Sequence, residues 1–469
     1  MRKIFTLLML AILAQLYSCG EPEDLQVYTS GEEADFTKYI SIGNSLTSGF
    51  MNGDLYLEGQ QNSYPSILAH QFEIVGGGTF SQPLMKDNVG FGKKLLLLGI
   101  TETGPQLSVA GGDPSANLAN ISAEGPYNNL GVPGARSYHL IAPHYGDATL
   151  GYDPNTGKPR YNPYFARFTN SAEATIMSHV PADYTFFSLW IGNNDVLGYA
   201  TTGGASVAAG DSITSPPFYA YVLNTVLAQL TANGQKGVIA NIPDVTSIPF
   251  FTTMTENVTY NGLNLTQDQA NMLNFAYAAT EAYLQSIGVT YSYGFNFTEG
   301  LNAFVVEDPE FPIAALPAAL KVKQMQAGDM FLLTLPVDSL LNYGMGSFNS
   351  TTFMPFGIPH KYILDLNEQA QVQAAVNQYN QIIADLADTY GLALADMNGF
   401  MNQLASEEGI TMGGNKFTSD FITGSAFSLD GVHPTGQGYA ILSNIFIEAI
   451  NEKYNSKIPR VWVTDYLGL

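Results

Sequence analysis

Two short segments carry the groups that could do chemistry. Gly43-Asn44-Ser45-Leu46 sets a serine where the apolar run Tyr39 to Ile42 gives way to a helix-like stretch. Near the other end of the chain, Asp430-Gly431-Val432-His433 sets a carboxylate and an imidazole three residues apart, just before the last expected helix. A serine hydroxyl is a weak nucleophile until a base takes its proton, and an imidazole serves as that base when a partner holds its other nitrogen. Ser45, His433 and Asp430 are therefore candidates for nucleophile, base and orienter. Each also has an ordinary explanation, since turns use serine freely and surface histidines are common. The remaining histidines, His70, His139, His144, His179 and His360, lie in no such pattern.

Two further segments fall between these. Asn129-Leu130-Gly131-Val132-Pro133-Gly134-Ala135 is a glycine-bracketed turn after a short strand, and Gly134 could offer its N–H to an oxyanion with no side chain in the way. Gly192-Asn193-Asn194-Asp195 closes the strongest apolar run of the chain, where an asparagine amide could face developing negative charge. The serine does not sit in a G-x-S-x-G elbow, because position 47 is threonine.

Taken in order, Gly-x-Ser-Leu, the glycine turn, Gly-x-Asn-Asp and Asp-x-x-His resemble the four blocks of the SGNH, or GDSL, hydrolase superfamily. Asn44 stands where that family frequently has aspartate, and Ala240-Asn241-Ile242-Pro243-Asp244 is similar to segments of its lipase-like members. The resemblance implies Ser45 as nucleophile, with its own N–H, the Gly134 N–H and the Asn194 side chain forming the oxyanion hole. It implies Asp430 and His433 as orienter and base. No cofactor is implied, and no His/Asp/Glu cluster has metal-ligand spacing.

The elements that must position these residues follow from apolar patterning. Tyr39–Ile42, a strand ending near Asn129-Leu130, Tyr184–Ile191, Gly237–Asn241 and Leu392–Ala395 read as short buried strands. Helical spacing is expected from Ser63, over Phe218–Leu230, over Gln369–Tyr390 and over Gly436–Glu452. Strands alternating with helices predict an α/β protein, a three-layer α/β/α sandwich around a mostly parallel sheet of flavodoxin-like type with long insertions. Residues 76–127 suggest loops and a hairpin. Residues 251–360 break the rhythm and are expected to form an insertion beside the core, a cap that would set substrate choice.

Composition narrows the classes. The 469 residues are 46% hydrophobic and 12% aromatic, enough for a large core, and the formal charge of −23 disfavours nucleic-acid partners. Met1–Ser18, with Arg2 and Lys3 before an apolar run, reads as a signal segment. Leu16-Tyr17-Ser18-Cys19 resembles a bacterial lipobox, which implies lipidation of Cys19, a cysteine with no second one to pair with. The expected organisation is signal 1–18, acidic tether 19–36, hydrolase domain 37–455 and C-terminal tail 456–469. The expected location is the envelope of a Gram-negative bacterium, anchored by lipid in the outer membrane on either of its two sides.

The expected activity is hydrolysis of a carboxylic ester, the substrate being a lipid or an acylated glycan. The alternative is a cell-surface glycan-binding lipoprotein that keeps such a core without catalysis.

Overall fold

A computed structural model describes residues 27–101, 104–204, 211–256, 262–311, 313, 316–349 and 355–469. The signal segment and Cys19 lie outside the described residues. Five strands make the central sheet: Tyr39–Gly43 (β1), Asn129–Gly131 (β2), Phe186–Trp190 (β3), Lys236–Ala240 (β4) and Ala393–Ala395 (β5). They run parallel in the order β5-β4-β3-β1-β2. This is the doubly wound flavodoxin-like order, in which the strand sequence reverses between β1 and β3. Both strands are buried on both faces, which is why they read as near-continuous apolar runs.

The helices that matter for the site are Ser45–Ser48 (α1), Tyr64–Ile74 (α2), Asn194–Ala200 (α3), Pro216–Leu230 (α4), Leu366–Tyr390 (α5), Met397–Leu404 (α6) and Gly436–Tyr454 (α7). α2 and α7 pack together on one face of the sheet, with Tyr64 stacked on Phe446 at 4.7 Å. α3, α4 and α5 associate on the other, with Tyr219 of α4 stacked on Tyr379 of α5 at 4.2 Å. The expected three-layer α/β/α fold is thus observed.

Local chemistry explains where the helices begin. Asp365 caps α5 in a reciprocal box with Glu368, and Gly391 ends that helix in the left-handed conformation. Helix α5 therefore starts at Leu366, ahead of the expected Gln369, because the cap lies upstream of the apolar stripe. Thr435 caps α7 by accepting from the Gly438 N–H. Ser63 and Pro65 start α2 as their types predict.

Residues expected as a tether and a tail are in part packed on the body. Phe36 is buried and stacks on Phe72 at 4.3 Å. The Ser456 hydroxyl donates to Ser30 O at 2.6 Å, and Ile458, Val461 and Val463 are buried. Apolar side chains at 36, 458, 461 and 463 gain more from burial than solvent exposure allows.

The insertion carries its own apolar clusters, one around Phe304, Phe331 and Ile358 and another around Leu273, Tyr277 and Phe297. At its end, His360 Nε2 lies 2.6 Å from Glu368 Oε1 of α5, both side chains being buried. Burial alone would lower the His360 pKa, but the hydrogen bond and charge of Glu368, with Asp365 nearby, raise it above its ordinary value. A raised folded-state pKa contributes stability below the ordinary value of 6.5 that is lost as pH climbs through the folded one. His360→Gln should therefore melt lower than wild type at pH 6, with the gap narrowing toward pH 9. A gap that widens with pH would contradict this assignment.

Candidate active site

The site forms at the carboxyl ends of β1 and β3, the switch point where doubly wound sheets leave a crevice. Gly43 ends β1, and the chain turns at once into α1. A Cβ at Gly43 would overlap the Thr47 hydroxyl and the Trp190 carbonyl, so only glycine allows so close a turn. Asn44 caps α1, its side-chain oxygen accepting from the Leu46 N–H at 3.0 Å. Ser45 is then the first residue of the helix, where a backbone N–H has no intrahelical acceptor.

A chain of buried hydroxyls fixes α1 from below. Tyr39 bonds Ser188 at 2.7 Å, Ser188 bonds Ser41 at 2.8 Å, and Tyr64 bonds Thr47 of α1 at 2.9 Å. All five groups are buried and each finds a partner, which is the condition for polar atoms in a core. Ser41 and Ser188 are direct neighbours across β1 and β3.

The Asp430–His433 turn arrives from the far end of the sequence. Gly431 has φ +69, and a Cβ there would press on Leu333 and on the Phe250 backbone. The turn closes with the Asp430 carboxylate accepting from the Val432 and His433 N–H groups at 2.9 and 2.8 Å. The Asp430 side chain also accepts from the Gly53 N–H at 2.8 Å and from His433 Nδ1 at 3.0 Å. His433 Nε2 in turn lies 2.9 Å from Ser45 Oγ. The structure thus brings Ser45, His433 and Asp430 into one hydrogen-bonded line. The imidazole is held by Phe50, whose ring centre is 4.6 Å away.

These surroundings set the charge. Burial would raise the Asp430 carboxyl, but the attraction of His433 and the N–H groups of His433 and Val432 outweigh it and hold it at about 2. The carboxylate is 12% exposed and the imidazole 14%, so water screens their interaction little.

Gly134 and Asn194 reach the same region by a different route. The Val132 N–H donates to Gly43 O at 3.0 Å, so the turn after β2 lies beside the turn after β1. Gly134 has φ +79, and Asn162 Nδ2 fixes the turn by donating to Pro133 O at 2.8 Å. Asn194 opens α3, and its Nδ2 donates to Ala135 O at 2.9 Å. An amide nitrogen carries two N–H bonds, so one remains for another acceptor. Behind it, buried Asp195 accepts from the Ser137 hydroxyl and N–H at 2.6 and 2.8 Å, tying α3 to the glycine turn.

A cavity adjoins this line, bounded by Ser45, Asn194 and His433 on one side and by Met397, Met401 and Leu404 on another. Among the described residues, none of 251–360 lines it. Beside the Asp430 turn, Phe250 N donates to Gly431 O, and Leu333 N of the insertion donates to Phe250 O, each at 2.9 Å. The insertion thus braces the Asp430 turn, and α6 lines the cavity.

Sequence reasoning passed over several contributors. The Gly53 N–H to Asp430 has no signal in residue type. Asn44 Nδ2, 3.3 Å from Asn193 Oδ1, links the two loops, and only the pairing of the strands makes that visible. The wall on α6 did have a signal, since Met397, Phe400, Met401 and Leu404 follow helical one-face spacing.

Comparison with known proteins adds the following. No family model matches the chain, and no curated protein matches its sequence. Solved structures with similarity include an alpha/beta hydrolase from the metagenome of Lake Arreo, Spain, at 11% identity and a TM-score of 0.33, with 90% of this chain and 98% of that one covered. An extracellular lipase from Streptomyces rimosus is similar at 11% identity and a TM-score of 0.33, covering 89% and 99%. A variant of Axe2, an acetyl-xylooligosaccharide esterase from Geobacillus, has the same identity and TM-score, covering 89% and 96%.

Proposed function

We propose that this protein is a serine ester hydrolase of SGNH type that cleaves carboxylic esters through an acyl-enzyme. The observation that carries the reading is the line Ser45 Oγ, His433 Nε2, His433 Nδ1, Asp430 Oδ2, with separations of 2.9 and 3.0 Å. His433 takes the Ser45 proton as the hydroxyl oxygen attacks the ester carbonyl carbon. The negative charge that forms on the carbonyl oxygen is met by the Ser45 and Gly134 N–H groups and the free N–H of Asn194. The tetrahedral species collapses, the alcohol leaves with the proton from His433, and the acyl group stays on Ser45. Water, deprotonated by His433, then attacks the acyl carbon and releases the acid.

Asp430 stays ionised through this cycle. With its pKa held at about 2, it keeps Nδ1–H donated to itself and stabilises the imidazolium without taking the proton.

The test is hydrolysis of p-nitrophenyl butyrate by wild type, followed by Asn194→Ala. That variant should lose roughly 10²- to 10³-fold in kcat with KM little changed, because the amide acts on charge present only in the transition state. A loss confined to KM would remove Asn194 from the oxyanion hole. No turnover of any ester by folded wild type would favour a non-catalytic binding protein.

The lipobox-like Leu16–Cys19 further supports a lipid-anchored envelope protein. Mass spectrometry of the mature protein from its native host should find Cys19 lipidated at the N-terminus, and an unmodified Cys19 would remove the anchor from the proposal.

A further inference from the structure

The cavity beside Ser45 is polar only where it touches the reacting groups. Its polar lining consists of Asn44, Ser45, Asn193, Asn194 and His433. Asn44 and Asn193 are engaged with each other, and the Trp190 indole N–H is donated to Asn241 O at 3.1 Å, leaving only the ring for the cavity. Among the described residues, the rest of the wall is hydrocarbon, thioether or aromatic, and it includes no Lys, Arg, Asp or Glu. A sugar hydroxyl placed there would find no partner, which disfavours it by roughly tenfold to a hundredfold. Apolar chain, by contrast, is stabilised by every methylene it buries.

On the serine-hydrolase reading proposed above, we infer that this cavity holds the acyl chain of the ester, that this chain is longer than acetyl, and that α6 sets its length. The acyl side is assigned by the order of the reaction. The alcohol must leave before water can reach the acyl carbon, so it needs an open route out. The acyl group remains bonded to Ser45 until the second half-reaction, so a pocket walled by packed helices suits it. Met397 and Met401 give this wall unbranched thioether side chains that adjust to chains of different length. Met401 and Leu404 are buried on α6, and α7 contributes Ile441 and Leu442 to the cavity.

Two substrate series and two variants test this. In p-nitrophenyl esters of increasing acyl length, kept below micelle-forming concentrations, kcat/KM should rise by about fourfold per methylene until the cavity is full, then fall. In alkyl acetates of increasing alcohol length it should not rise in this way. Met401→Trp, which fills the cavity, should move the acyl optimum to shorter chains. Leu404→Ala, which enlarges it, should move the optimum to longer ones. Opposite shifts cannot arise from a common folding defect.

A flat acyl series would overturn the inference while leaving the hydrolase intact. So would a length preference that follows the alcohol. Variants that scale every acyl length equally would overturn the role of α6. No hydrolysis in either series, together with no fluorophosphonate adduct on Ser45, would overturn the hydrolase reading itself.

Discussion

Ser45→Ala and His433→Ala should each lower kcat toward p-nitrophenyl esters by roughly 10⁵- to 10⁶-fold, and the double variant should be no slower than either single one. The reason is the geometry of one unit. His433 Nε2 has Ser45 Oγ as its hydrogen-bond partner at 2.9 Å, so the base without the nucleophile has nothing to activate, and the nucleophile without the base stays protonated. The fold should survive. Ser45 Oγ makes this one side-chain bond across the site, whereas α1 is held by the Asn44 cap and the buried Thr47–Tyr64 contact. The serine variant should therefore lose only about 1 kcal/mol of stability. Turnover and thermal melting measured together separate loss of chemistry from loss of fold. Additive losses in the double variant would mean that the two residues act independently.

Asp430→Asn should lower kcat by roughly 10⁴-fold, and for a reason that also appears in stability. The carboxylate accepts from the Gly53, Val432 and His433 N–H groups and from His433 Nδ1. An amide can keep one oxygen facing Val432 and His433, but it then turns an NH₂ toward two other donors. The imidazole loses the acceptor that fixes its tautomer, and the Gly53 N–H loses its partner. A pKa held at about 2 in the folded state, below the ordinary 3.8, means that the folded carboxylate keeps its charge where the unfolded one is already protonated. Its contribution, about 2 kcal/mol, is present above the ordinary carboxyl pKa and is lost as pH falls toward 2. The stability difference between wild type and Asp430→Asn should accordingly be constant near neutral pH and shrink between about pH 4 and pH 2. Urea denaturation at a series of pH values reads this directly, and a difference that grows on acidification would contradict it.

Much of the sheet was legible because parallel strands buried on both faces leave continuous apolar runs. Phe186–Trp190 and Lys236–Ala240 lie within a residue or two of the expected Tyr184–Ile191 and Gly237–Asn241. The four motif segments were legible for a related reason. Each sits where a strand ends or a helix begins, so residue type, glycine placement and pattern coincide at Gly43, Gly131, Gly192 and Asp430. What the sequence did not disclose was partnership. That Gly53 holds Asp430, or that Asn44 reaches Asn193, depends on loops brought together by strand order, and backbone donors carry no signature in residue type.

The described apolar side chains of the insertion fill clusters of their own around Phe304 and Tyr277. Part of the cavity wall comes from α6, eight residues whose spacing of Met, Phe and Leu resembles any core-facing helix. From Val337–Asn342 to Pro355–Phe356 the short elements of the insertion follow no single period, so neither helix nor strand could be assigned there in advance.

The central claim is that Ser45 is a nucleophile made reactive by His433. A fluorophosphonate probe reacts with such a serine and is mapped by peptide mass spectrometry. Wild type should carry one adduct, on Ser45, and His433→Ala should carry almost none under the same conditions. An unlabelled wild type, or an adduct on another serine with Ser45 unmodified, would contradict the account.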